Sequence, residues 1–172
     1  MNRYALVALV FLVLLDACGG NDESSKSAKA GANPDAANAA YVIEGKTIIL
    51  VNGKADEPAA PGSASRNVTT LTSFTGAGDV DGDAKSDLAL ILTSSPSGSG
   101  TFYYLAALTS SGRAPWMALL LGDRITISQV SVKPGTVTVS YLTRPDGAPF
   151  SATPSVPESK TFSLAAGQLK PN

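Results

Sequence analysis

Residues 79–87 read D-V-D-G-D-A-K-S-D and run directly into residues 88–92, L-A-L-I-L. Four of the chain's fourteen acidic residues, Asp79, Asp81, Asp83 and Asp87, are concentrated in this one stretch. The apolar run is bounded by a loop of Ser, Pro and Gly at residues 94–100, so it reads as a buried strand. Charge that needs water or a counter-ion is thus joined to a segment that must leave water. The fold has to put the acidic stretch in a loop and carry the chain from it straight into the core.

Four like charges so close together repel unless something neutralises them. A hard divalent cation does so naturally. Calcium takes six to eight oxygen ligands, supplied by short acidic loops from alternate side chains and one backbone carbonyl near the seventh position. Counted from Asp79, the side chains of Asp79, Asp81, Asp83 and Asp87 and the carbonyl of Lys85 fit that scheme, with the lysine side chain in water. The alternative is a solvated acidic turn without metal, its aspartates bonding their own backbone in Asx turns. Leu90 stands where a helix-loop-helix site needs a bidentate glutamate, and a strand follows rather than a helix, which argues against an EF-hand.

The stretch resembles the D-x-D-x-D-G-x-x-D calcium loops of dockerin-like, thrombospondin-type and FG-GAP repeats. It departs from them at Ala84, where the pattern has glycine. A Cβ makes the turn expected there costlier by ~1 kcal/mol.

Close to the start of the chain, Arg3 precedes an unbroken apolar run at residues 5–15, the length of a signal-peptide core and too short to span a bilayer. Leu15-Asp16-Ala17-Cys18 then resembles the bacterial lipobox, with Asp16 an unusual occupant of its middle position. The resemblance implies a signal peptide over residues 1–17, cleavage before Cys18 and lipidation of its thiol. An ordinary secretory signal with an incidental cysteine is the alternative. Cys18 is the only cysteine, so no intramolecular disulfide can form. Acyl methylenes at ~0.8 kcal/mol each make a two- or three-chain anchor in effect permanent. Gly19 lacks the aspartate that retains such proteins at the inner membrane, so the expected location is the bacterial cell envelope, at the outer membrane if the source is Gram-negative.

Lipidated Cys18 and a tether occupy residues 18–40. From Gly20 onward this segment has no large apolar side chain, and it cannot offset its ordering entropy. Twenty such residues reach ~25 Å on average. Residues 41–172 are enough for one domain.

The patterns in residues 41–172 are those of an all-β fold, a single antiparallel, sandwich-like domain. Strands are expected at residues 47–51, 68–74, 88–93, 101–108, 117–121, 125–132, 136–142 and 161–164. Asn52-Gly53 and Pro134-Gly135 mark tight turns. Val137, Val139 and Tyr141 alternate with Thr136, Thr138 and Ser140, which gives one buried and one wet face. Turn signals at Gly122-Asp123 and Pro134-Gly135 predict two successive meander hairpins over residues 117–142. The order of D-V-D-G-D-x-K-x-D-L-A, G-S-G-T-F-Y-Y-L-A and L-L-G-D-R-I-x-I resembles a family of small uncharacterised bacterial lipoproteins. That resemblance implies a membrane-tethered domain and no activity.

Composition removes several chemistries. The chain has no histidine, so His-based triads and histidine metal sites are excluded. No lysine has a serine three residues before it. Thirteen basic and fourteen acidic residues give a net charge of −1, unchanged when Arg3 and Asp16 leave with the signal, and no basic stripe marks a nucleic-acid partner. Trp116 reads as a core anchor and Arg124 beside Asp123 as a local ion pair. Two functions remain. One is a non-catalytic, calcium-stabilised module that binds a protein or cell-wall partner. The other is a carboxylate-dependent hydrolase of envelope glycans. A cleft with a pair of acids away from the acidic loop favours the hydrolase. A strand-edge surface with exposed aromatics favours the binding module.

Overall fold

The computed structural model describes residues 34–97 and 100–172. The expected signal peptide, Cys18 and most of the tether lie outside the described residues. The domain is all β, and among the described residues the only helical element is a 3-10 turn at Ala36–Asn38. Eleven strands follow: β1 (Ala40–Ile43), β2 (Lys46–Ile49), β3 (Lys54–Pro58), β4 (Arg66–Gly78), β5 (Asp87–Ser95), β6 (Phe102–Leu108), β7 (Trp116–Asp123), β8 (Thr126–Lys133), β9 (Thr136–Thr143), β10 (Val156–Ala165) and β11 (Gln168–Pro171).

They form two sheets. Seven strands run in the order β2-β1-β7-β6-β5-β4-β3, and four in the order β11-β10-β9-β8. All pairings are antiparallel except β1 with β7. The larger sheet curls until its edge strands nearly meet. β2 and β3 are joined by the Asn52-Gly53 turn, both residues left-handed at φ 52° and 81°, and by a single bridge between Val51 and Lys54. A Lys46–Glu57 ion pair spans the same seam. The result is a barrel that is almost closed, with the smaller sheet packed against its outer face.

β5 and β6 form the wall between two cores, and their sequence shows why. In β5, Leu90 and Leu92 face the barrel interior while Ala89 and Ile91 face the smaller sheet, all fully buried. In β6, Tyr104, Ala106 and Leu108 face inward and Leu105 and Ala107 outward. A strand covered on both sides has no solvent face, so its sequence is a continuous apolar run. Each large aliphatic side chain so buried contributes about 1.5–3 kcal/mol. Val137, Val139 and Tyr141 of β9 complete the outer core from the facing sheet, as their alternation requires.

Two expectations need correction. Residues 117–142 do not form two successive hairpins: β7 pairs with β6 and β1, whereas β8 pairs with β9. The Gly122-Asp123 region is a corner that passes the chain from one sheet to the other, with Arg124 left-handed at φ 49°. The second hairpin is as expected, Lys133 facing Thr136 across Pro134-Gly135. The last strand is also longer than residues 161–164, and the chain ends in a further hairpin to β11.

The end of the tether is built into the domain. Ala36 is buried, Tyr41 donates its hydroxyl to the Ala36 carbonyl at 2.8 Å, and the Ala37 carbonyl accepts from Gly53 N–H.

Close approach of the two sheets depends on β4. This strand carries three residues, Thr72, Ser73 and Phe74, opposite one on β5, a bulge that bends it. Its first half then pairs with β3, and its last residues lie against β8. A Cβ on Gly78 would stand 2.8 Å from Val132 Cγ1. Gly78→Ala is expected to lower stability by about 1–3 kcal/mol through overpacking. Val132→Ala in the same chain should restore part of the loss, as read from denaturant melts.

Candidate metal centre

The acidic loop connects β4 to β5, where Gly78 faces Asp87 across the hairpin. It is held from within by Val80, which is buried in the outer core. It is held from outside by the β8–β9 turn, whose Gly135 N–H reaches the Asp79 carbonyl at 3.0 Å.

Asp87 anchors the arrangement. It is completely buried, and its Oδ2 accepts from the amides of Val80 at 2.9 Å and Asp81 at 3.4 Å. Its Oδ1 accepts from the amide of Ser110 at 2.8 Å, which joins the loop to the β6–β7 connection. Asp79 accepts from the amides of Gly82 at 2.6 Å and Ala84 at 3.0 Å. Asp81 accepts from Asp83 N–H at 3.1 Å and from the Ser111 hydroxyl at 2.8 Å. Asp83 accepts from Lys85 N–H at 2.8 Å and from its Nζ at 2.7 Å. Each carboxylate is thereby oriented by donors on the loop or next to it.

The structure brings all four sequence-predicted aspartates together. One carboxylate oxygen from each lies within 4.8 Å of all the others. Ligands around calcium sit 2.3–2.6 Å from the ion, so opposite ligands stand about 4.6–5.2 Å apart. The spread therefore fits a single cation. The Ser110 hydroxyl, beside Asp87, is buried and has no hydrogen-bond partner among the described residues. The loop can hold a metal ion.

Asx turns from Asp81 to Asp83 and from Asp83 to Lys85 are present as well, as a solvated acidic turn also requires. Lys85 keeps an exposed side chain, but folds it back onto Asp83. That hydrogen bond holds the Asp83 carboxyl below its ordinary pKa and raises the Lys85 ammonium in return. Ala84 is left-handed at φ 63°, so the residue standing in place of glycine does occupy the strained position.

Sequence reasoning missed a second feature, at the opposite end of the barrel. There the nearly closed seam leaves a cavity of about 350 Å³, lined in part by Glu44, Lys46, Glu57, Phe102 and Tyr104. The one sequence signal was Glu44-Gly45, a two-residue hairpin turn with glutamate where Asn, Asp or Gly is usual. Among known proteins, no family model, no curated protein and no solved structure matches the chain.

The buried and exposed aspartates should respond differently to truncation. Asp87→Ala strips the acceptor from three amides, and at ~1–3 kcal/mol per unsatisfied buried donor it should cost ~3 kcal/mol or more with or without metal. Asp83→Ala removes only local contacts and should stay within ~0.5 kcal/mol of wild type in chelator. Urea melts of the two variants in chelator read the difference.

Proposed function

We propose that this chain is a membrane-tethered, non-catalytic envelope lipoprotein whose β-domain is stabilised by calcium and binds a protein or cell-wall partner. The observation that carries the metal part is the convergence of Asp79, Asp81, Asp83 and Asp87 around one point, anchored on a buried carboxylate. The Lys85 carbonyl would complete the loop's ligands. A bound calcium would supply charge neutralisation and a cross-link between the loop and the strand it begins. Nothing in this role asks the loop to react.

The anchor rests on L-D-A-C and on Cys18 being the only thiol. The binding role is supported by apolar side chains left on the surface. Ile49 and Val51 are exposed at the β2 edge, and Phe150 is 70% exposed with the guanidinium groups of Arg124 and Arg144 each 5.3 Å from its ring. Aromatic and arginine side chains together are characteristic of contact surfaces.

A second reading, a carboxylate-dependent glycan hydrolase, is favoured by one observation. The cavity opposite the loop holds two acids, Glu44 and Glu57. Both are engaged: Glu44 accepts from the Tyr104 hydroxyl at 2.9 Å and Glu57 pairs with Lys46. Release of reducing ends from purified cell-wall glycan by wild type, lost in Glu57→Gln, would establish this reading against the first.

Millimolar calcium should raise the melting temperature and chelator lower it. The gain is ~2.7 kcal/mol when free calcium is a hundred times the dissociation constant. Asp81→Ala should abolish the calcium response and still fold in chelator. Ala84→Gly should tighten binding, and by relieving the left-handed Cβ it should add up to ~1 kcal/mol even without metal. A melt indifferent to calcium, magnesium and chelator leaves the solvated turn. Cys18→Ser should leave the chain uncleaved or release it from the membrane fraction. Wild-type processing and fractionation of that variant would overturn the anchor.

A further inference from the structure

The cavity at the barrel mouth has a chemistry of its own, independent of the loop and of the lipid anchor. Its floor is apolar, formed by Ile43, Ile48 and Ala55 with the rings of Phe102 and Tyr104. Its volume lies at the small end of ligand pockets, which run about 300–1,000 Å³. Two carboxylates and one ammonium stand in its lining, a formal excess of one negative charge.

That excess is located. Lys46 is committed to Glu57 across the seam. Glu44 pairs with no cation among the described residues and accepts a single side-chain hydrogen bond, to Oε1 from the Tyr104 hydroxyl at 2.9 Å. Burial, together with the Glu44 carboxylate, raises the pKa of that phenol, so it stays a donor. It orients the carboxylate and leaves the other oxygen available.

The backbone adds an independent observation. Glu44 is left-handed at φ 50°, followed by Gly45 at 81°, in a two-residue turn between Ile43 and Lys46. Such turns favour Asn, Asp or Gly at their first position. The turn does not call for glutamate; what glutamate adds there is a charged group whose reach extends to the rim of an aromatic-lined pocket. A strained residue whose side chain is aimed at a cavity points to use of that side chain.

We propose that this cavity binds a small organic cation, with its ammonium on Glu44 and its apolar body against Phe102 and Tyr104. A carboxylate supplies a charge-assisted hydrogen bond, and aromatic faces attract the same positive charge. Thr69 and Ser94, hydrogen-bonded to each other, add hydroxyl groups to the lining, and the Asn67 Oδ1 there already accepts from Ser97 N–H.

The test is calorimetric titration of the full chain in a non-ionic detergent with three probes of similar body: phenethylammonium, neutral 2-phenylethanol and anionic 3-phenylpropanoate. Glu44 is exposed, so solvent screens the pair, and the ammonium should bind about two- to fivefold tighter than the alcohol, while the carboxylate should not bind. Glu44→Gln should bring the ammonium down to the affinity of the alcohol. Glu44→Asn places a residue suited to the left-handed turn, which offsets the lost acceptor of the Tyr104 hydroxyl, so it should still fold cooperatively and yet lose the preference for the ammonium. That variant separates loss of the site from loss of the fold. Equal binding of ammonium and alcohol by wild type would overturn the proposal. So would an ammonium affinity unchanged in both variants, or no heat from any probe at millimolar concentration.

Discussion

The pairing of β5 with β6 is the contact on which everything else in this domain is built. Register from Leu88 facing Leu108 to Ser94 facing Phe102 fixes which side chains enter the barrel and which enter the layer outside it. A shift of one residue would exchange the two sets, moving Leu90 and Leu92 out and Ala89 and Ile91 in. The barrel side carries the larger pair of side chains, so the exchange would overfill the outer layer and leave the barrel hollow. The same pair carries the acidic loop at one end, through Asp87, and the cavity at the other, through Ser94 and Phe102. Between them runs a dry wall. Trp116, Tyr41 and Leu108 fill the barrel near the loop, while the seam between β2 and β3 leaves it open at the far end.

The parts legible in the sequence were those where one physical demand dominates. Strands covered on both faces show as unbroken apolar runs, a strand covered on one face shows as alternation, and Pro134-Gly135 can hardly be anything but a turn. The acidic loop was legible because four carboxylates at that spacing have few other uses. Elements stabilised by partners rather than by their own pattern were not. β3 reads K-A-D-E-P and buries only Ala55; it exists because β4 supplies its hydrogen bonds and because Asp56 binds Arg66 and Lys54. β11 buries only Leu169. β1 pairs in parallel with a strand more than seventy residues later, a contact no local pattern announces. The corner at residues 122–125 misled for a related reason. A glycine beside an aspartate fits a hairpin and a change of sheet equally well, and the choice lies with the core that Leu121 and Ile125 both enter.

Left-handed residues other than glycine occur at Glu44, Asn52, Ala84, Arg124 and Ala166, and they do not all mean the same thing. Asn52 is suited to its turn. Ala166 sits in the last hairpin with no functional group to aim. Arg124 at the sheet corner is tied to Asp123 and lies over Phe150, which gives its conformation a packing role. Glu44 and Ala84 stand apart because each lies at a mouth of the barrel, beside a concentration of charge. Strain marks a site only where a side chain or a ligand geometry makes use of it.

Asp87 shows how tightly the loop and the fold are joined. A carboxylate that accepts three amides and has no exposure behaves as part of the core, yet one of its oxygens also belongs to the cluster. The carboxylates of Asp79, Asp81 and Asp83, by contrast, are held only by donors of the loop itself and by Ser111. A cation gathered by the cluster would therefore act on a surface turn and on the first residue of β5 at once. Its binding energy would reach the wall between the two cores directly, through one side chain, without any rearrangement of the sheet.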